Sequence, residues 1–159
     1  MNGFTKCLMA LVAVAIMCMA RPAAASPRTV VFHLGAQCLC AQCGFDAVRI
    51  LGKFDGVQKT TLFTKERHMD IVFDEAKQPL SALALAVSHL DLGDNSSLAW
   101  PIDQKADPTQ AAKALEKIPG VHAAKANAKD HTVLLTFTSK APVSASQLDS
   151  ALKGTAAHA

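Results

Sequence analysis

Apolar residues recur with a clear period along most of the chain after position 28. Val30, Phe32 and Leu34 alternate over residues 29–34, which predicts a strand with His33 on its other face. Ala47, Ile50, Leu51 and Phe54 then recur at i, i+3, i+4 and i+7, with Asp46, Arg49 and Lys53 between them. That spacing predicts an amphipathic helix, ended by the turn dipeptide Asp55-Gly56. Residues 57–64 and 69–73 read as a hairpin joined by the polar connection 65–68, with Met69, Ile71 and Phe73 alternating toward one face. Pro79 opens a second helix in which Leu80, Leu83, Ala84, Val87 and Leu90 repeat, and Gly93-Asp94-Asn95 ends it.

The order βα then starts again. Residues 98–103 give a short extended segment with the only Trp, at 100, and with Pro101 bending it or confining it to an edge. Asp107-Pro108-Thr109-Gln110 is a helix start with an N-cap and a proline at the first position, followed by the stripe Ala111, Ala114, Leu115, Ile118 and the stop Pro119-Gly120. Strands are predicted over 121–126 and around Val133, Leu135 and Phe137, and Ser144-Ala145-Ser146-Gln147 caps a last helix through Leu148 and Leu152. At an offset of 64, Leu51 falls on Leu115, Gly56 on Gly120, Val57 on Val121 and Phe73 on Phe137, so the chain is an internal duplication. One segment is in conflict: 98–103 cannot be both the last strand of the first copy and the first strand of the second. Either the copies share an irregular sheet, or one of them is truncated.

The first 25 residues lie outside this pattern. Lys6 gives a positive start, 7–20 is apolar, and Ala23-Ala24-Ala25 is a small-residue cleavage signal, so the segment reads as a secretory leader cut after Ala25. The apolar run is shorter than the roughly 18 to 20 residues that span a bilayer, which disfavours an uncleaved anchor. Met17 disfavours lipid attachment at Cys18. Loss of Lys6 and Arg21 leaves fourteen basic against thirteen acidic residues. That balance, with no aromatic-basic interleaving, argues against nucleic acid as a partner. The expectation is a periplasmic or secreted protein with no stable membrane insertion after cleavage.

Export changes the meaning of the cysteines. Every thiol outside the leader lies in Gly35-Ala36-Gln37-Cys38-Leu39-Cys40-Ala41-Gln42-Cys43-Gly44. Three thiols in an oxidising compartment cannot all pair within one chain, which disfavours a purely structural disulfide framework. Cys40 and Cys43 form a Cys-x-x-Cys pair, with the second cysteine beginning the helix, and a helix N-terminus favours thiolate. Thiolates on a short loop suit Cu(I) or Hg(II), which accept two sulfurs; Zn(II) wants four ligands, and the surrounding sequence does not supply them. At the offset of 64, Cys40 falls on Gln104 and Cys43 on Asp107, so one site per chain is expected.

Residues 35–77 resemble the heavy-metal-associated domain, the module of copper chaperones, metal-transporting ATPase tails and the periplasmic mercury-binding protein. The match rests on Cys40-Ala41-Gln42-Cys43 at a strand-to-helix junction, the turn Asp55-Gly56-Val57, the alternating hairpin and Phe73-Asp74-Glu75-Ala76-Lys77. The resemblance implies an α+β, ferredoxin-like βαββαβ fold, here duplicated in tandem and partly degenerate. Residues 26–96 would form the metal-binding domain and 97–159 a repeat without cysteines. It also implies a soft-metal carrier or scavenger, not an enzyme, with a membrane metal transporter or another metal carrier as partner. Cys38 stands where the family usually has Met. Counted from Gly35 as in the family's Gly-x-x-Cys, the ligand pair would be Cys38 and Cys43; the spacing to Asp55-Gly56-Val57 favours Cys40 and Cys43, with Cys38 as a third sulfur.

Two rivals use the same residues. Thiol-disulfide exchange also places Cys-x-x-Cys at a helix start outside the cytosol, and a disulfide within the loop would merely staple it. His33, His68, His89, His122, His131 and His158 show no ligand spacing to one another and read as solvated or hairpin-edge residues. Met69 reads as packing.

Overall fold

The computed structural model describes residues 27–35, 41–90, 92 and 96–153. Its elements are β1 (Arg28–His33), α1 (Ala41–Leu51), β2 (Val57–Phe63), β3 (His68–Phe73), α2 (Leu80–Ser88), β4 (Ser97–Pro101), α3 (Pro108–Glu116), β5 (Val121–Asn127), β6 (Thr132–Phe137) and α4 (Ala145–Lys153). This is the duplicated α+β, ferredoxin-like arrangement that the family resemblance implies. The leader lies outside the described residues, and no helix among those described is long and apolar enough to cross a membrane.

All six strands form one sheet in the order β2-β3-β1-β4-β6-β5, antiparallel throughout. The conflict over 98–103 is thereby settled: the copies do share one sheet, as one of the two alternatives had it, but by the double use of a strand that the sequence reading excluded. Strand β4 is the fourth strand of the first copy and the first strand of the second, and β1 reciprocally closes the second copy. Alternation makes this work. Phe32 pairs with Met69 and with Leu98, and Leu98 pairs with Leu135, so one face of the whole sheet is apolar. Val30, Phe32, Met69, Ile71, Phe73, Leu98, Trp100, Val133 and Leu135 on that face join residues of all four helices in a single core. Trp100 is 3% exposed and fills space where the copies meet. Among the described residues, the other sheet face carries no helix.

The two copies match in detail. Each hairpin opens after a glycine of positive φ, Gly56 at 91° and Gly120 at 101°, and each turns through a left-handed residue, Arg67 or His131. In each, the ladder slips by one residue near its start, between Val57 and Lys59 and between Val121 and Ala123. Asp74 N donates to Gly56 O and Thr138 N to Gly120 O, both at 2.9 Å. A Cβ on Gly56 would meet the Asp74 carbonyl and the Phe73 ring, and one on Gly120 would meet the Ala141 carbonyl and Val143. Only glycine fits either place.

The copies also complete each other's helix ends. Helix α2 follows Pro79, which offers no side-chain cap, and its Ser81 N donates to Val143 O at 3.1 Å. The buried Ser81 hydroxyl accepts from Val143 N at 2.9 Å. Helix α4 begins with Ala145 N donating to Glu75 Oε1 at 2.5 Å, beside the Ser144–Gln147 capping box expected from the sequence. Helix α3 is capped by Asp107, which accepts from Thr109 N at 2.8 Å.

Candidate metal centre

Helix α1 begins at Ala41, two residues before the expected start, so Cys43 lies in the first turn and Cys40 directly precedes the helix. Cys38 and Cys40 lie outside the described residues. Cys43 is disulfide-bonded, and since it is the sole described cysteine, its partner also lies outside that set. The disulfide at Cys43 is compatible with the stapled loop that the sequence offers as a rival. The three candidate ligands Cys38, Cys40 and Cys43 cannot be brought together from the described residues, and among those no group of three His, Cys, Asp or Glu side chains converges on a metal position.

Packing of α1 against β2 sets where Cys43 stands. Ala47 and Leu51 face the core at 2% and 1% exposure, and Gly44 is buried because its missing side chain leaves room for Leu62. The predicted apolar stripe is only partly correct. Ile50 is 51% exposed, and the helix stops at Leu51, so that Phe54 packs from the turn that follows. Ile50 instead lines a recess of about 200 Å³ with Cys43, Asp46, Ala47, His89 and Leu90. On the other flank, Phe45 is 73% exposed beside a hollow of about 360 Å³ formed with Val48, Thr60 and Leu62. His89 was legible in the sequence only as a solvated residue. The end of α2 brings it to the recess beside Cys43.

The charges of this turn are local. Asp46 accepts from Gln42 Nε2 at 3.1 Å and from Arg49 at 3.0 Å. The Gln42 amide, and after it the Arg49 guanidinium, hold the Asp46 carboxyl below its usual range. An ionised Asp46 one turn from Cys43 works against a thiolate there, and Arg49 offsets it.

The second copy differs here by length as well as by sequence. Leu34 N donates to Arg67 O, and in the second copy Ile102 N donates to His131 O. Thirty-three positions separate the first pair and twenty-nine the second. Phe54 N to Leu51 O and Ile118 N to Leu115 O still match at an offset of 64. Four extra residues therefore lie between Leu34 and Leu51, in the stretch that contains Cys38, Cys40 and Cys43. The offset before that stretch is 68, which makes Phe32 the counterpart of Trp100 and Val31 the counterpart of Ala99. Val31 and Ala99 pair with each other, so an approximate two-fold axis passes between them.

No protein-family model matches the chain, and no curated protein sequence matches it. Several solved structures are similar, among them the following three. The crystal structure of oxidized MerP from Ralstonia metallidurans CH34 shares 23% identity over 46% of this chain and 97% of its own, with a TM-score of 0.40. The water-soluble region of the P-type ATPase CopA from Bacillus subtilis shares 19% identity over 82% of this chain and 87% of its own, at 0.42. The N-terminal soluble domains of Bacillus subtilis CopA in solution share 19% over 82% and 90%, at 0.43. Likenesses of this size are distant, and function has to be argued from this chain's own residues.

Proposed function

We propose that this is an exported protein that binds a soft metal ion, Cu(I) or Hg(II), as carrier or scavenger, through Cys40 and Cys43 with Cys38 as a third sulfur. The observation that carries the reading is the difference between the copies. The scaffold is closed in both, while the thiols occur only where one copy has four added residues at a helix start. Residues that the fold does without, placed where a helix dipole favours thiolate, fit a ligand loop better than a structural one.

The disulfide at Cys43 defines the form that must be converted first. Two electrons from an external thiol reductant split it into two thiols, and each thiol releases its proton as sulfur binds the ion. The reduced protein should take up one Cu(I) per chain in an anaerobic titration against a competing chelator. No uptake, or uptake unchanged in Cys40→Ser/Cys43→Ser, overturns the reading.

The same disulfide supports a second reading, thiol-disulfide exchange with a partner docked over Phe45 and Ile50. Turnover of a disulfide substrate with a reductant in excess, without metal uptake, would favour it.

A further inference from the structure

We propose that His33, His68 and Asp70 form a second cation site, on the helix-free face of the sheet, for a borderline divalent ion such as Zn(II), Ni(II) or Cu(II). The proposal uses none of the three cysteines and does not rest on their function.

The sheet register brings these residues together across 35 positions of sequence. His33 on β1 is paired with His68 on β3, and Phe63 on β2 is paired with His68 on the other side. All three lie on the face opposite Phe32 and Met69. The Leu34 N to Arg67 O hydrogen bond marks 34 and 67 as the bonded pair, so His33 and His68 occupy the neighbouring non-bonded position. Side chains stand closest at such positions, with Cβ atoms about 4.5–5.5 Å apart. Two imidazoles at this spacing can bind one ion.

Asp70 supplies the third group. It follows His68 by two residues on the same face, and its Oδ1 lies 3.8 Å from His68 Nε2. That is too long for a hydrogen bond. It is less than twice the ligand distance of about 2.1 Å, so one ion can touch both atoms. Asp70 Oδ1 is shut off from solvent and accepts no hydrogen bond among the described residues, although the side chain as a whole is 34% exposed. A shielded carboxylate oxygen without a donor is costly unless a cation takes the donor's place.

The His68 ring is held from behind by Phe63, stacked at 4.5 Å with 19° between the planes. The three side chains do not converge as they stand, so binding requires the His33 ring to turn toward His68. Two imidazoles and one carboxylate suit borderline divalent ions, with water filling the remaining positions. The second copy has no counterpart, since Pro101, Thr132, Leu134 and Asn127 stand at the places of His33, His68, Asp70 and Phe63.

The test uses the mature protein, reduced and with its thiols alkylated, so that the loop cannot bind. Substoichiometric Ni(II) should broaden the histidine side-chain NMR signals of His33 and His68 and spare those of His89, His122 and His131. In calorimetric titration with Zn(II), His33→Gln and His68→Gln should each weaken binding by at least about tenfold, and Asp70→Asn by less. Equal broadening of all histidines, no broadening, or an affinity that both glutamine variants leave unchanged overturns the proposal. The NMR experiment decides the matter on the unmutated chain if a variant folds poorly.

Discussion

The two copies have the same hairpin, the same glycine turn and the same slipped ladder, and they differ most in length in one segment. Between the first strand and the buried helical Leu, the thiol-bearing copy has four more residues than the other. The thiol-free copy shows that the scaffold closes without them. By the helix bounds, three of the four extend the start of α1 and one lies in the connection before it, so this segment can be lengthened with the core intact. The sheet is built from both copies, whereas the sulfur chemistry belongs to one.

The largest effect should come from the thiols. Cys40→Ser/Cys43→Ser should reduce Cu(I) affinity by far more than about tenfold and leave the circular dichroism of the fold unchanged. Replacing residues 103–107 with the segment 35–43 should give the second copy an uptake of its own. If it does not, the copies differ in more than this loop. Next come the paired glycines. Gly56→Ala and Gly120→Ala should each cost about 2–4 kcal/mol in urea unfolding, since both have positive φ and both face a carbonyl. Clearly unequal losses would show that the two turns are not equivalent.

Ser81→Ala removes the buried partner of Val143 N. A loss of about 1–3 kcal/mol is expected, with the two copies still melting in one transition; two transitions would break the picture of a shared core. Asp46 should have the smallest effect. Its folded pKa is lowered, so its contribution is present above the unfolded value of about 3.9 and disappears as pH falls through the folded one. Asp46→Asn should therefore be slightly less stable than the parent at pH 7 and equal to it in strong acid, while Gln110, its counterpart in the second copy, gives no such pH dependence on substitution.

Local signals were enough for most elements. Alternation placed both hairpins, the stop at Asp55-Gly56 marked a true turn, and Asp107-Pro108 capped α3 as read. The shared strands were not legible, because a strand's partners are set by packing over distances that periodicity does not report. Residues 98–103 look like one strand with one owner, and only the sheet shows Leu98 paired with both Phe32 and Leu135. The same limit concealed the pair His33 and His68, and it made a single offset of 64 appear to serve the whole repeat. Ile50 was misplaced for a different reason. A short helix at a sheet edge buries a narrow stripe, here Ala47 and Leu51, so a flanking apolar position faces water.

The reciprocal closure of the sheet has a consequence for how the chain matures. Strand β1 stays bare on one side until β4 has been made, and the N-terminus of α2 lacks its acceptor until Val143 arrives. Both contacts join residues more than sixty positions apart, the kind of contact that is slow to form. The first copy therefore completes these contacts only once the second copy is present, and the second copy sets when the first can close.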